Sequence, residues 1–281
     1  SDTEQKSVDQ IVTNEAKNAF ERDGAVLLKG ALHPEYIRLI DLGIERVLKN
    51  DSPYKFTFYE GTDGEFIDAT RNYDITPEFQ RLLRASPIAD ALGRFMDSKN
   101  VWLLFDHVFA KDGGQCNRTP WHQDVPYWPL KGNQLASMWI PIDPLPKEEC
   151  LEFVARSHKG PMYDGFDPSN NDDPTAPLYG KDYPRLPDIE AERDKWQILA
   201  WDMEPGDAIV FHPMALHGGG PTLYGNRRRA LSVRCYGDDV VYDTRPDDRA
   251  TAPPTPGLSL ELKPGDPLRS DFYPQLRPSQ G

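Results

Sequence analysis

The feature that most constrains the fold is a change of residue pattern at Val101. Before it, residues 14–22, a segment opened by Pro34, and residues 77–96, broken at Pro87, have the apolar spacing of helices. From Val101 onward come short stretches rich in β-branched or aromatic residues and bounded by Gly, Pro or Asp: 101–105, 135–140, 151–154, 208–211 and 230–236. Many short strands after N-terminal helices predict a mainly β fold, a jelly-roll barrel with helices packed outside it.

The domain organisation follows from the same pattern. The 281 residues contain no internal repeat and no evident linker, and barrels of this size are often single domains. We therefore predict one domain over 1–281, with a helical part over about 1–100 and the barrel over about 101–240. A proline-rich wrap follows over 241–281.

The charge balance narrows the classes of partner. The formal net charge is −13 and the only basic run is 227–229, which argues against nucleic acid and against anionic membrane surfaces. No apolar run reaches membrane-spanning length. The three cysteines lack the C-x-x-C spacing, and residues 1–6 are polar, unlike a signal peptide, so we expect reduced thiols and a cytoplasmic location.

The triplet His122-Gln123-Asp124 is the first candidate for chemistry. If it is extended, His122 and Asp124 point to one side and Gln123 points away. His217, 93 residues after Asp124, adds a second imidazole. Two histidines and one carboxylate are the set that holds non-heme Fe(II) on one face. His212 competes as the third ligand, but the glycines after His217 let the backbone approach a metal closely, which favours His217.

Several runs around this triplet carry a family resemblance. In order along the chain they are 119–129, 137–143, 150–158, 204–218 and 227–239. Together they resemble the phytanoyl-CoA dioxygenase-like family of Fe(II)/2-oxoglutarate oxygenases, clearly over about 100–240 and more loosely back to Phe20. The resemblance implies a double-stranded β-helix of the jelly-roll and cupin type. It also implies a dioxygenase that uses Fe(II), 2-oxoglutarate and O2, with His122, Asp124 and His217 as metal ligands.

The same resemblance suggests where 2-oxoglutarate is held. Its distal carboxylate requires a bidentate cation, for which arginine is suited. Family spacing puts this anchor eleven residues past His217, which selects Arg228. Arg229 is the reserve choice, because a slip of one residue would exchange the two strand faces. Trp139 matches a family position beside the cosubstrate and fits equally well as a core tryptophan.

The expected reaction is hydroxylation of an unactivated C–H bond of a small-molecule metabolite, with release of succinate and CO2. A carboxylate at Asp124 argues against the related halogenases, in which a small residue leaves room for chloride. Desaturation, epoxidation or rearrangement remain open alternatives. Two further alternatives are a metal-binding cupin without oxygenase activity and an inactive scaffold.

The substrate is expected to be apolar or aromatic. The aromatic-rich stretch 54–66, Tyr127, Trp128 and the long segment 160–195 are the candidates for lining its pocket. Coenzyme A thioesters need clusters of Lys and Arg, which this acidic chain lacks outside 227–229. We expect the 160–195 segment to be a lid that faces the substrate and touches neither the iron nor the cosubstrate.

Overall fold

A computed structural model describes residues 4–180, 182–247 and 252–279. Helices α1 to α6 span Val8–Ile11, Asn14–Asp23, Pro34–Lys49, Pro77–Ala85, Ile88–Met96 and Leu258–Glu261. Strands β1 to β16 span Ala25–Leu28, Lys55–Phe58, Phe66–Thr70, Val101–Lys111, Gly114–Cys116, Thr119–His122, Leu130–Lys131, Leu135–Pro141, Leu151–Val154, Ile198–Leu199, Ala208–Phe211, His217–Gly219, Thr222–Gly225, Arg228–Tyr236, Val241–Tyr242 and Gln275–Arg277.

Helices α2 to α5 begin at the residues that the sequence predicts, whereas the short helix α1 is not predicted. The Thr13 side chain caps α2 by accepting a hydrogen bond from the Ala16 amide, and Gly24 ends the helix with a φ of 83°. Pro34 is the first residue of α3, where its missing N–H costs nothing. The predicted break at Pro87 separates α4 from α5.

Two antiparallel sheets form the barrel. The larger has the order β1-β11-β8-β14-β4-β3-β2, with β16 also paired to β4. The smaller has the order β10-β9-β12-β6. This arrangement confirms the predicted jelly roll, and the C-terminal wrap proves to contribute a strand of its own.

The two faces of the larger sheet have different roles, as alternation along β14 makes clear. Leu231, Val233 and Cys235 point outward into a core shared with α2 to α5, where helix side chains such as Ile40 and Ile44 are fully buried. The alternate residues of β14 point into the barrel: Arg228, Ala230, Ser232 and Arg234. The helices therefore stabilise one face of the sheet and leave the other free for polar side chains.

None of the helices in the described ranges combines the length and apolar character needed to cross a bilayer.

Candidate metal centre

The structure brings His122, Asp124 and His217 together. His122 is the last residue of β6 and His217 the first of β12, and the two are paired in register across these strands. One ligand atom from each of the three residues lies within 4.8 Å of the other two.

The conformation at Asp124 differs from the extended one that we predicted. Strand β6 ends at His122, and Asp124 has helical angles, φ −82° and ψ −37°, at the start of the 3-10 turn Val125–Tyr127. Pro126 cannot donate to a strand ladder, which favours the turn. A bend in the chain, and not the alternation of a strand, therefore places the Asp124 carboxylate next to the His122 imidazole. Gln123 does point away, and donates to the carbonyl oxygens of Pro161 and Met214.

The hydrogen bonds of the two imidazoles leave one nitrogen of each ring free to bind a metal. His122 Nδ1 lies 2.8 Å from the Pro120 carbonyl oxygen, and His217 Nδ1 lies 2.8 Å from that of Ala215. Since a carbonyl only accepts, each Nδ1 carries a proton, and each Nε2 is the nitrogen that would offer its lone pair when a metal binds. These Nε2 atoms lie 3.3 Å and 3.4 Å from the same oxygen, Oδ1 of Asp124. The donor set suits a divalent metal with open positions.

Arg234 holds the other oxygen of the carboxylate. Its Nη1 donates to Asp124 Oδ2 at 3.0 Å, and its guanidinium lies over the rings of Phe105 and Trp128. Burial opposes ionisation of Asp124, but the neighbouring His217 and Arg234 outweigh it and hold its carboxyl pKa well below the usual value. Sequence reasoning did not assign Arg234 a role, although its position on the same strand face as Arg228 was a usable signal.

Arg228 lines the same cavity as His122 and His217. It is 5% exposed, and its Nη1 donates to the carbonyl oxygens of Gly220 and Pro221 at 3.0 Å and 2.7 Å. Within the described ranges no carboxylate forms an ion pair with it, and burial lowers its pKa. A buried cation with only backbone partners can accept the carboxylate of a small molecule. Trp139 lies beside it, with 5.8 Å between the guanidinium carbon and the ring centre.

Arg229 lies on the opposite face of β14, away from the cavity. It forms ion pairs with Asp41, Glu45 and Asp143, which join helix α3 to the sheet. The reserve choice for the cosubstrate anchor therefore does not reach the metal centre.

The cavity between the triad and Arg228 has a volume of about 310 Å³. Besides His122, His217 and Arg228, the hairpin of β2 and β3 contributes Phe58, Phe66 and Asp68 to its wall. His107 also lines it.

His212 lies elsewhere. Its Nε2 is 3.0 Å from the Asn133 carbonyl oxygen, and it borders a separate cleft of about 780 Å³. That cleft is larger, but none of the three candidate ligands borders it, so we place the chemistry in the smaller cavity.

The 160–195 segment lies nearer to the metal centre than we expected. The Phe166 ring meets the His122 ring edge-on, with centroids 5.8 Å apart, and the Tyr127 hydroxyl accepts a hydrogen bond from the Phe166 amide. Among the described residues of 160–195, none lines the 310 Å³ cavity itself.

Comparisons with known proteins agree with this geometry. The family model described as phytanoyl-CoA dioxygenase (PhyH) matches residues 20–230. A "Probable phytanoyl-CoA dioxygenase" of Caenorhabditis elegans is 27% identical over 255 residues, which cover 82% of this chain and 77% of that protein. The peroxisomal phytanoyl-CoA dioxygenase of Homo sapiens is 21% identical over 247 residues, 83% of this chain and 70% of its own.

Solved structures share the fold. The α-ketoglutarate-dependent carbocyclase SnoK from nogalamycin biosynthesis superposes with a TM-score of 0.73 at 18% identity, covering 97% of this chain and 99% of its own. The epimerase SnoN, in complex with Fe3+, α-ketoglutarate and nogalamycin RO, gives 0.72 at 20% identity, covering 94% and 98%. At such identities the likeness establishes the fold, whereas the family match spans well over half of the chain. The chain therefore belongs to the phytanoyl-CoA dioxygenase (PhyH) family and is an Fe(II)/2-oxoglutarate-dependent dioxygenase.

Proposed function

We propose that this enzyme hydroxylates an unactivated C–H bond of a small apolar or aromatic metabolite. In the balanced reaction the substrate, 2-oxoglutarate and O2 give the alcohol, succinate and CO2. His122, Asp124 and His217 would hold Fe(II), which when bound with its cosubstrate and O2 would supply the oxidant for the C–H bond. The protein residues orient these partners and keep water out of the cavity.

The observation that carries this proposal is Arg228, which is buried on the wall of the cavity beside His122 and His217 and has no ion-pair partner among the described residues. A metal-binding cupin without oxygenase activity has no need of such a cation, whereas the distal carboxylate of 2-oxoglutarate does. We propose Arg228 as its anchor and Trp139 as the flat wall against which the cosubstrate lies.

The remaining polar contacts have positioning roles in this scheme. The carbonyl oxygens of Pro120 and Ala215 keep the proton on Nδ1 of each imidazole, so that Nε2 is available to the iron. Arg234 engages Oδ2 of Asp124 and leaves Oδ1 directed toward the two histidines.

The names of the animal relatives refer to a coenzyme A thioester, whereas the substrate proposed for this enzyme is a small apolar or aromatic compound. A coenzyme A thioester carries several phosphates and requires free cations near the cavity mouth. Arg227 is paired with Glu45 and Asp112, and Arg229 with three carboxylates, so two of the three arginines of the basic run are already neutralised, and the third, Arg228, is the proposed anchor of 2-oxoglutarate. The cavity wall is instead aromatic, which favours a small apolar or aromatic compound.

Other outcomes of the same chemistry need only a different substrate pose. The epimerase SnoN and the carbocyclase SnoK are examples of such outcomes on this fold. The product mass separates them: hydroxylation adds one oxygen atom, desaturation removes two hydrogens, and epimerisation changes nothing.

The test is succinate formation by the iron-loaded enzyme, screened against small natural products and coenzyme A esters. We expect 2-oxoglutarate turnover that requires Fe(II), is stimulated by an aromatic compound and is abolished in Asp124→Ala. A folded protein that binds iron through the triad but never forms succinate would instead support the non-oxygenase cupin.

A further inference from the structure

A chain of hydrogen-bonded polar side chains, formed by Asp68, His107 and Arg234, lines the cavity beside the candidate metal centre. His107 Nε2 lies 2.9 Å from Asp68 Oδ1, and Arg234 Nη2 lies 3.2 Å from His107 Nδ1. Because arginine can only donate, Nδ1 of His107 accepts, and its Nε2–H therefore donates to Asp68. The pair is thus oriented, and the connection through Arg234 runs on to Asp124.

Asp68 retains an unused acceptor. Its Oδ1 is engaged by His107, whereas Oδ2 has no hydrogen-bond partner among the described residues, and the side chain is 29% exposed. Burial opposes its ionisation, but His107 and Arg234 outweigh burial, and the pKa of Asp68 is lowered. The cavity wall therefore presents an ionised carboxylate oxygen that accepts hydrogen bonds and repels anions.

A stack of aromatic rings continues from this carboxylate toward solvent. Phe66 lies between Phe109 and Phe58, with 4.9 Å between ring centroids on each side. All three rings line the cavity. Phe58 is 43% exposed and the adjacent Tyr59 is 68% exposed, which leaves apolar ring surface uncovered at the outer end of the stack.

From this juxtaposition we infer that the substrate is a planar aromatic molecule whose hydroxyl group donates a hydrogen bond to Asp68 while its ring packs on Phe58 and Phe66. The inference rests on the proposed function and adds the substrate class. Since Asp68, Phe58 and Phe66 all lie on β2 or β3, the β2–β3 hairpin determines the substrate specificity. A substrate carrying a carboxylate or a phosphate at that position is excluded by Asp68.

Three probes of the same ring system test the hydrogen bond. They are 2-naphthol, 2-methoxynaphthalene, whose hydroxyl is blocked, and the anion 2-naphthoate. Their fluorescence is titrated with enzyme holding Fe(II) and 2-oxoglutarate under anaerobic conditions. We expect 2-naphthol to bind about ten-fold or more tightly than either other probe, as for a hydrogen bond to a charged group. Asp68→Asn should reduce both preferences to within about three-fold.

A matched pair of variants on one strand tests the aromatic wall. Phe58→Ala removes a ring that lines the cavity, and we expect it to weaken all three probes by about five-fold. Phe56→Ala removes a ring from the same strand that is 56% exposed and does not line the cavity, so it should change none of them.

Equal affinities for the three probes, a hydroxyl preference that survives Asp68→Asn, or no binding of 2-naphthol at its solubility limit would each overturn the inference. So would equal effects of the two phenylalanine variants. Substrate-independent succinate formation is measured in the same preparations. If the wild type forms succinate yet fails the probe tests, the inference fails and the oxygenase function stands; if it forms none, either alone or with any compound of the screen, the proposed function itself fails.

Discussion

Replacement of Arg228 by alanine is the most direct perturbation of the proposed cosubstrate site. Arg228 is 5% exposed, and its two contacts with backbone carbonyls use only Nη1, so the rest of the guanidinium is available to a carboxylate. Removing one partner of a buried charge pair costs about 3–5 kcal/mol. At about 1.4 kcal/mol per ten-fold change, the affinity for 2-oxoglutarate should fall by roughly 100- to 5,000-fold.

The control is Arg227→Ala, one residue away. Arg227 is 42% exposed and pairs with Glu45 at the surface, where such a pair contributes about 0–1 kcal/mol. The assay measures the dependence of succinate formation on 2-oxoglutarate, after iron content and thermal unfolding have been shown to match the wild type. Equal effects at Arg227 and Arg228, or a dominant effect on the 2-oxoglutarate requirement at Arg229, would refute the assignment.

Three further results are expected. His217→Ala should abolish Fe(II) binding in an iron titration while His212→Ala retains it; the reverse would transfer the ligand role to His212. Burial lowers the pKa of His212 to about 4. Below about pH 6.5 the unfolded chain therefore binds a proton that the folded chain does not, and stability should fall by up to about 3 kcal/mol between pH 6.5 and 4. Urea unfolding of His212→Gln should show a flatter pH dependence, and an identical slope would contradict this. Shortening the 160–195 segment while retaining Phe166 should leave substrate-independent succinate formation intact and weaken substrate turnover; unchanged substrate kinetics would reject the lid.

Much of the fold could be predicted because its signals are local. Strands β9 and β11 begin and end at the predicted residues, since each is a short apolar stretch between strand-breaking residues. The β2–β3 hairpin could not be predicted, because its aromatic residues are mixed with glycines and charges and show no clear alternation.

The sequence predicts which residues form the candidate site better than it predicts how they are arranged. His122, Asp124, His217 and Arg228 are predicted from motif and family spacing, and the structure brings the three candidate ligands together and places Arg228 on the wall of the same cavity. The turn at Asp124 was missed, although Pro126 signalled it. The contacts among Asp68, His107 and Arg234 join three different strands, and strand register across such distances cannot be read from one sequence.

The position of β2 at the end of the larger sheet has a consequence for the behaviour of the protein in concentrated solution. Among the described residues no strand pairs with the outer edge of β2, and Phe56 and Phe58 project beside it, a combination that favours self-association. Its length of four residues limits this tendency, and mutual repulsion between chains of net charge −13 opposes it. Salt screens that repulsion within a Debye length of about 10 Å at 0.1 M. The protein should therefore remain dispersed best at low ionic strength, and added salt should promote aggregation through this edge.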